Sequence, residues 1–410
     1  MLHPKIKFGC STLGAPARLA EHPRPPRGPE RLQKEKRMKK LLVMKTTRAL
    51  WCVMMAALVT WPSLAQAAGL DFPLERQVFQ RNAEEWAKIK VAGTVPTDAT
   101  LVEAKADLGA GLRGKAVNWT VVAQGRQIKD GRFSGSLELK TGGWYTLTVR
   151  FRKSAADPEA LAEATVEHVG VGDVFITAGQ SNSVNYGNPR QTSKETLSVY
   201  FDGKQFTPAA DPIPDACGNG GTPWPILGDM LSRTTRAPVC FRSATVNWLR
   251  VREWVPGAGS GNIERLVERA KWFGPAGFRA VLWVQGEADA GRPDFTPARQ
   301  YAREAAAMIN FSRQQLGGSV DWFVAGTCYC PPQGRQDWKE GMTAVLKAQK
   351  ALWGKGVACR GPDTNDLAGP DYRHDGIHFG PRGLLVHAER WYAVLSAHYR
   401  WTNPVTRPSK

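Results

Sequence analysis

The sequence predicts an α/β protein: a three-layer α/β/α sandwich with a parallel sheet, preceded by a small β-sandwich domain. Three observations carry this expectation. Between about 71 and 169, short strand-like runs follow one another with glycine turns between them. From about 170 onward, apolar runs alternate with stretches of helical periodicity, and strands separated by helices pair in parallel with both faces covered. The 410 residues also suffice for two domains with ample cores.

Residues 1–67 are expected to be an upstream extension and a secretory signal peptide. Residues before Met38 are rich in Pro and Arg and show no periodicity. Met44-Lys45-Thr46-Thr47-Arg48 forms a short basic region, Leu50 to Trp61 an apolar region too short for a membrane span, and Ala65-Gln66-Ala67 a small-residue cleavage site. Cleavage near Ala67 would place the protein in the periplasm or outside the cell, with no membrane span in the mature chain. It would also remove 13 basic and 3 acidic residues, so the net charge of +18 falls to +8. With no remaining Lys/Arg run, nucleic acid is not an expected partner.

The small β-sandwich domain is expected over 70–169. In Trp144 to Phe151 the alternation places Tyr145, Leu147, Val149 and Phe151 on one face. Residues 88–91 and 119–122 are further strands, punctuated by Asp130-Gly131, Gly135 and Gly142-Gly143. The second domain is expected over 170–402, with the boundary near 167–172. Its strands are placed at 173–178, 239–245, 280–284 and 322–326, and its helices at 224–231, 263–272, 297–316, 338–353 and 384–399.

Three blocks of this second domain carry chemistry. Gly179-Gln180-Ser181-Asn182 follows the apolar run Val174 to Ala178. A strand that stops at a glycine and presents a serine where a helix begins exposes the hydroxyl beside unpaired backbone N–H groups. The same four residues also suit an ordinary turn with a helix cap. Asp375-Gly376-Ile377-His378 precedes the last helix. An Asp three residues before a His can orient one ring nitrogen and leave the other free to take a proton from a serine. His374, His387 and His398 have no such partner and are expected at the surface. Gln285-Gly286-Glu287-Ala288-Asp289 ends a third apolar run. Gln285 can donate an N–H to a developing oxyanion. Glu287 and Asp289 suit either loop positioning or a capping turn.

In this order the three blocks resemble the SGNH/GDSL hydrolases, within them the sialate O-acetylesterase and carbohydrate esterase family six branch. The resemblance spans about 170–399. It implies an SGNH-like α/β/α fold and a serine esterase that removes acetyl groups from sugars without a cofactor. It makes Ser181 the nucleophile, His378 the general base and Asp375 its orienting acid, with the Ser181 N–H and Gln285 as oxyanion donors. Gln180, Asn182, Glu287 and Trp254 are assigned to substrate binding. One stretch departs from the family pattern, which usually carries a second glycine block. Here Ala244 to Trp254 contains no glycine. A backbone N–H survives any substitution except proline, so a donor near Asn247 is expected to persist. Trp248 and Arg250 are expected to reshape the pocket. The 15 tryptophans include Trp224, Trp248, Trp254 and Trp283 close to the three blocks, either as core or as a sugar-ring lining.

Cys217, Cys240, Cys328, Cys330 and Cys359 follow the cleavage site. Export would permit disulfides, with Cys217–Cys240 and Cys359 with Cys328 or Cys330 as plausible pairs. The spacing shows no metal site. The expected function is an exported serine esterase acting on an acetylated carbohydrate such as sialic acid, xylan or a related glycan. A non-catalytic carbohydrate-binding relative, and an esterase acting on a lipid or peptidoglycan acyl ester, are the alternatives.

Overall fold

A computed structural model of the chain describes residues 68–274, 277–331 and 338–401. The extension and signal peptide expected over 1–67 lie outside the described residues. The first part is built of β1 (Gly69–Phe72), β2 (Val78–Gln80), β3 (Trp86–Thr94), β4 (Leu101–Leu108), β5 (Val117–Gln124), β6 (Ile128–Lys129), β7 (Arg132–Lys140), β8 (Gly142–Arg152) and β9 (Ala162–Gly179). Strands β1, β3, β7 and β6 form one four-stranded sheet, while β2, β4, β5 and β8 belong to a larger sheet through β9. A shared core joins the two, drawing on Ile89 and Val91 of β3, Leu137 and Leu139 of β7, and Val102 and Ala104 of β4. Tyr145, Leu147, Val149 and Phe151 of β8 are all buried in it, as the period-two pattern requires.

The boundary expected at 167–172 falls inside β9. The first part of β9 pairs antiparallel with β8, from Ala162 to Val171. Its last part pairs in parallel with two later strands, from Asp173 to Gly179. Burial alternates up to His168 and is then unbroken to Gly179, because both faces of the strand become covered. At this junction the buried Asp173 carboxylate accepts from Arg81 of the first part and Arg279 of the second, each at 2.6 Å.

The second part contains β10 (Ser198–Phe201), β11 (Phe206–Pro208), α1 (Trp224–Thr235), β12 (Val239–Ser243), α2 (Asn262–Lys271), β13 (Ala280–Val284), the short α3 (Glu287–Ala290), α4 (Ala298–Leu316), β14 (Asp321–Gly326), α5 (Trp338–Gly354), β15 (Cys359–Asp363) and α6 (Pro381–His398). The sheet order is β11-β10-β12-β9-β13-β14-β15, parallel except for the β11 edge. Ile176, Ala178, Val281, Trp283 and Val324 pack on one face against α2, α4 and α5. Phe175, Phe241, Leu282, Val284 and Phe323 pack on the other against α1 and α6. Strand residues alternate between the two cores, so the sheet is the middle of three layers.

β9 sits at the switch point. The chain leaves it toward β12 on one side and β13 on the other, and the crevice at the carboxyl ends of such strands is where open α/β sheets bind ligands. The expected disulfides do not form: Cys240 is buried in β12 and Cys217 is exposed, and no bridge joins Cys359 to Cys328.

Candidate active site

β9 ends at Gly179 with φ +127°, and a Cβ there would lie 2.0 Å from the Val284 carbonyl oxygen, so only glycine lets the strand end beside β13. Ser181 opens the single helical turn Ser181–Ser183, at the position where a backbone N–H has no intrahelical acceptor. The turn is pinned on every side. The Gln180 N–H donates to Val284 O at 2.9 Å and Trp224 Nε1 to Ser183 O at 2.9 Å. Ser183 Oγ donates to Gln180 O at 2.8 Å, and Gln180 Oε1 accepts from the Ala288 N–H at 3.1 Å. Within this network the buried Ser181 Oγ makes no hydrogen bond to the protein, and neither does Gln180 Nε2. Buried polar side chains are usually paired, so two adjacent orphans at a strand end mark a place built to meet something else.

His378 and Asp375 lie on the loop between β15 and α6. Asp375 Oδ2 stands 2.6 Å from His378 Nδ1, and Asp375 Oδ1 accepts the Ile377 and His378 N–H groups at 2.9 and 2.7 Å. Partial burial works against ionisation, but the His378 ring and these two N–H groups outweigh it and hold the Asp375 carboxyl down at about 2. A carboxylate on Nδ1 directs Nε2 outward. Tyr186 stacks on the imidazole, with ring centroids 5.2 Å apart and an interplanar angle of 29°. Asn182 Nδ2 reaches the Ile377 carbonyl at 3.4 Å, so the residue after Ser181 touches the residue before His378.

This loop is held from beneath by Arg373. Its guanidinium donates to the carbonyls of Leu367 at 2.7 Å, Ile377 at 2.6 Å and Thr364 at 3.1 Å, and lies 3.9 Å from the Phe379 ring centroid. Burial lowers it to about 10, with Glu287 acting in the opposite sense, so it stays charged at neutral pH. The neighbouring histidines diverge from one another. His374 and His398 are exposed as expected, but His387 is fully buried against Trp224, Phe379 and Trp391. Trp391 Nε1 donates to its Nε2 at 3.0 Å, and burial pushes its imidazole down to about 3. Its place on the inner face of α6 corrects the surface assignment. His374, Asp375 and His378 bring ligand atoms within 4.8 Å of one another. Asp375 is nevertheless committed to His378 and two peptide groups, and His374 Nε2 to the Tyr186 carbonyl at 3.0 Å, so the trio is a hydrogen-bonded cluster.

The third block braces the other two. A Cβ at Gly286 would lie 1.9 Å from Thr327 O, so β13 and β14 approach closely there. Glu287, fully buried, accepts from Asn182 Nδ2 at 2.7 Å and Thr327 Oγ1 at 3.1 Å through Oε1, while its Oε2 is without a partner. Asn182 and Glu287 therefore tie the serine turn to α3. Gln285 differs from the expectation. Its two Nε2 hydrogens go to Leu249 O at 3.0 Å and to Asp289 Oδ2, and its Oε1 accepts from Tyr301 at 2.9 Å. No donor is left over for an oxyanion. Asp289 in turn accepts the Val251 N–H at 2.9 Å, so Gln285 and Asp289 together hold the loop after β12. Trp254 is also placed differently: it is fully buried, edge-on to Trp283 with centroids 4.9 Å apart, and does not reach the site surface. Asn247 does reach it, donating from Nδ2 to the Tyr186 hydroxyl at 2.7 Å.

Tyr186, Arg373, Thr327 and Tyr301 were not anticipated. Arg373 lies two residues before Asp375, and a buried arginine beside an Asp-x-x-His block is a signal that could have been read. The other three are brought in by tertiary contacts alone.

β9 of the three-layer sheet thus ends in the Ser181 turn, and the loop that carries the Asp375–His378 pair touches that turn. Residues 171–380 match the family described as carbohydrate esterase, sialic acid-specific acetylesterase. The chain belongs to that family and is a carboxylic ester hydrolase, an acetylesterase that removes O-acetyl groups from carbohydrates. Its fold is similar to that of XAC1771, a carbohydrate acetylesterase from Xanthomonas citri, at 16% identity over 80% of this chain and 74% of that one, with a TM-score of 0.51. An Arabidopsis thaliana protein is matched at 18% identity over 56% of this chain and 98% of that one, TM-score 0.43. NanS is matched at 15% identity over 56% and 97%, TM-score 0.41. No curated protein matches the sequence.

Proposed function

We propose that Ser181 is the nucleophile, His378 the general base and Asp375 its orienting acid in an exported esterase acting on acetylated glycans. The observation that carries this is the buried Ser181 hydroxyl, left without a protein partner, on a turn that touches the loop of an aspartate-bound imidazole. His378 Nε2 takes the Ser181 proton as Oγ bonds to the acetyl carbon, and the carbonyl electron pair moves onto oxygen. Collapse of that oxyanion breaks the bond to the sugar oxygen, which leaves with the proton from His378. Water, deprotonated by His378, then releases acetate and restores Ser181. The oxyanion rests on the Ser181 N–H and on backbone N–H groups of the Asn247 loop, and Gln180 Nε2 remains as a donor to the substrate. The strands before Asp173 are a β-sandwich domain whose role is packing. The direct test is acetate release from acetylated sugars by the wild type beside Ser181→Ala.

Gln285 acts as a brace in this scheme. Gln285→Ala is expected to lower the melting temperature by several degrees and kcat by less than about tenfold, because a lost oxyanion donor would cost roughly 10²–10³ in kcat. Measuring kcat and melting temperature together decides it. A fall of a hundredfold in kcat at unchanged stability would return Gln285 to the oxyanion hole.

Export is read from the leader of 1–67. N-terminal sequencing of protein recovered outside the cytoplasm is expected to begin near Ala68. An intact leader on protein retained in the cytoplasm would end this reading. Among the described residues, no helix is long and apolar enough to cross a membrane.

A further inference from the structure

Four tryptophans neighbour the three blocks, and their surroundings separate them. Trp224, Trp254 and Trp283 are fully buried, whereas Trp248 is 39% exposed. Trp248 also has φ +55°, a left-handed backbone that is costly for any residue with a Cβ and uncommon for a bulky aromatic. The glycine-free loop after β12 therefore still makes a turn suited to glycine, but with the largest side chain at that position. Strain of this kind persists only where the surrounding structure enforces it, and it concentrates at functional sites.

The enforcing contacts are present. The Val246 N–H donates to Gly179 O at 3.2 Å, next to the serine turn. Asn247 Nδ2 holds the Tyr186 hydroxyl at 2.7 Å, and the Tyr186 ring lies on His378. Leu249 O accepts from Gln285 at 3.0 Å. Trp248 is thus clamped between two residues that are tied to opposite sides of the site. Its ring has Arg292 over one face, the guanidinium 5.7 Å from the centroid, and Arg292 Nη2 also donates to the Trp248 carbonyl at 3.3 Å.

We propose that Trp248 is the platform on which the sugar ring of the acetylated substrate stacks, braced from its other face by Arg292. This rests on the esterase reading of Ser181. A pyranose presents a face of C–H groups that suits an exposed indole, and a preset ring loses little freedom when the sugar arrives. Asn247 and Tyr186 link the loop that carries the platform to the His378 imidazole, so a sugar held on it would bring an ester toward Ser181. Ethyl acetate has an ester but no ring to lay on the indole, and gains much less from the platform.

The test compares an O-acetylated pyranoside with ethyl acetate. On the pyranoside, Trp248→Ala is expected to lower kcat/KM by about tenfold or more, mainly through KM, in keeping with the loss of one stacking contact. The loss on ethyl acetate is expected to be several times smaller, and Trp248→Phe to recover most of the pyranoside rate. Trp248→Gly, which suits the left-handed backbone, provides a folded variant whatever the fate of Trp248→Ala, and is expected to show the same substrate-dependent loss. Equal losses on both substrates, or no loss on the pyranoside, would overturn the platform. Ser181→Ala run in parallel separates this from the parent reading: its continued turnover of both esters would remove the nucleophile, whereas the Trp248 substrate ratio reads the platform alone.

Discussion

Ser181→Ala is expected to lower kcat for acetyl-ester hydrolysis by roughly 10⁴- to 10⁶-fold, since removing a nucleophile of this type leaves only binding and oxyanion stabilisation. The same substitution is expected to leave the melting temperature unchanged or slightly higher. The Ser181 hydroxyl is buried and bonded to nothing in the protein, so its loss breaks no hydrogen bond and removes an unpaired polar group from the interior. Activity and stability therefore move apart, as they do where a site holds chemistry at the expense of packing. Thermal unfolding and acetate release on the same preparation check both halves. Retained hydrolysis in the folded variant would exclude Ser181.

Asp375 and His378 are expected to behave as one unit with Ser181. His378→Ala should cost about as much as Ser181→Ala, and the double variant little more than either alone. Asp375→Asn should cost about 10⁴-fold, because an amide in that place favours the wrong ring tautomer. The pH profile assigns the charges. Asp375 is held down at about 2, so it stays ionised throughout the useful range and contributes no acid limb near neutrality. Loss of rate on acidification then reports the proposed general base and not Asp375. For stability the sign is that of a depressed carboxyl. The contribution of Asp375 is present above its unfolded value of about 4 and is lost as pH falls toward about 2. A rate that is flat to about pH 4, or losses that multiply across the three positions, would reduce the pair to a loop support.

Much of this site was legible because its parts are local. The serine turn is a consequence of Gly179 meeting β13, and the Asp375–His378 pair is closed within four residues, so both are written in contiguous sequence. The strands that carry the sheet's centre are apolar because both faces are covered, and their positions could be read for that reason. β15 could not be read. Its Cys-Arg-Gly-Pro-Asp sequence has no apolar period, and Pro362 is tolerated because the strand lies at the sheet edge. The roles of Gln285 and Trp254 were also beyond the sequence. Gln285 is decided by where its two N–H groups find acceptors, on Leu249 and Asp289. Trp254 is decided by which of several tryptophans the core has room for. His387 followed the opposite course, buried beside Trp224 and Trp391 of the core on the other face because α6 turns it inward.

The 18-residue strand β9 begins among the antiparallel strands of the first part and ends one residue before Gln180. At about 3.3 Å per residue it is a continuous beam of roughly 60 Å. No linker divides the two parts of this chain, so a cut between them falls within β9. A truncation that starts near 170 would strip β8 and β2 from the base of the strand that leads into the Ser181 turn, and would take Arg81 from Asp173. Fusions that keep the enzyme intact are therefore joined ahead of β1 or after α6, and not between the two parts.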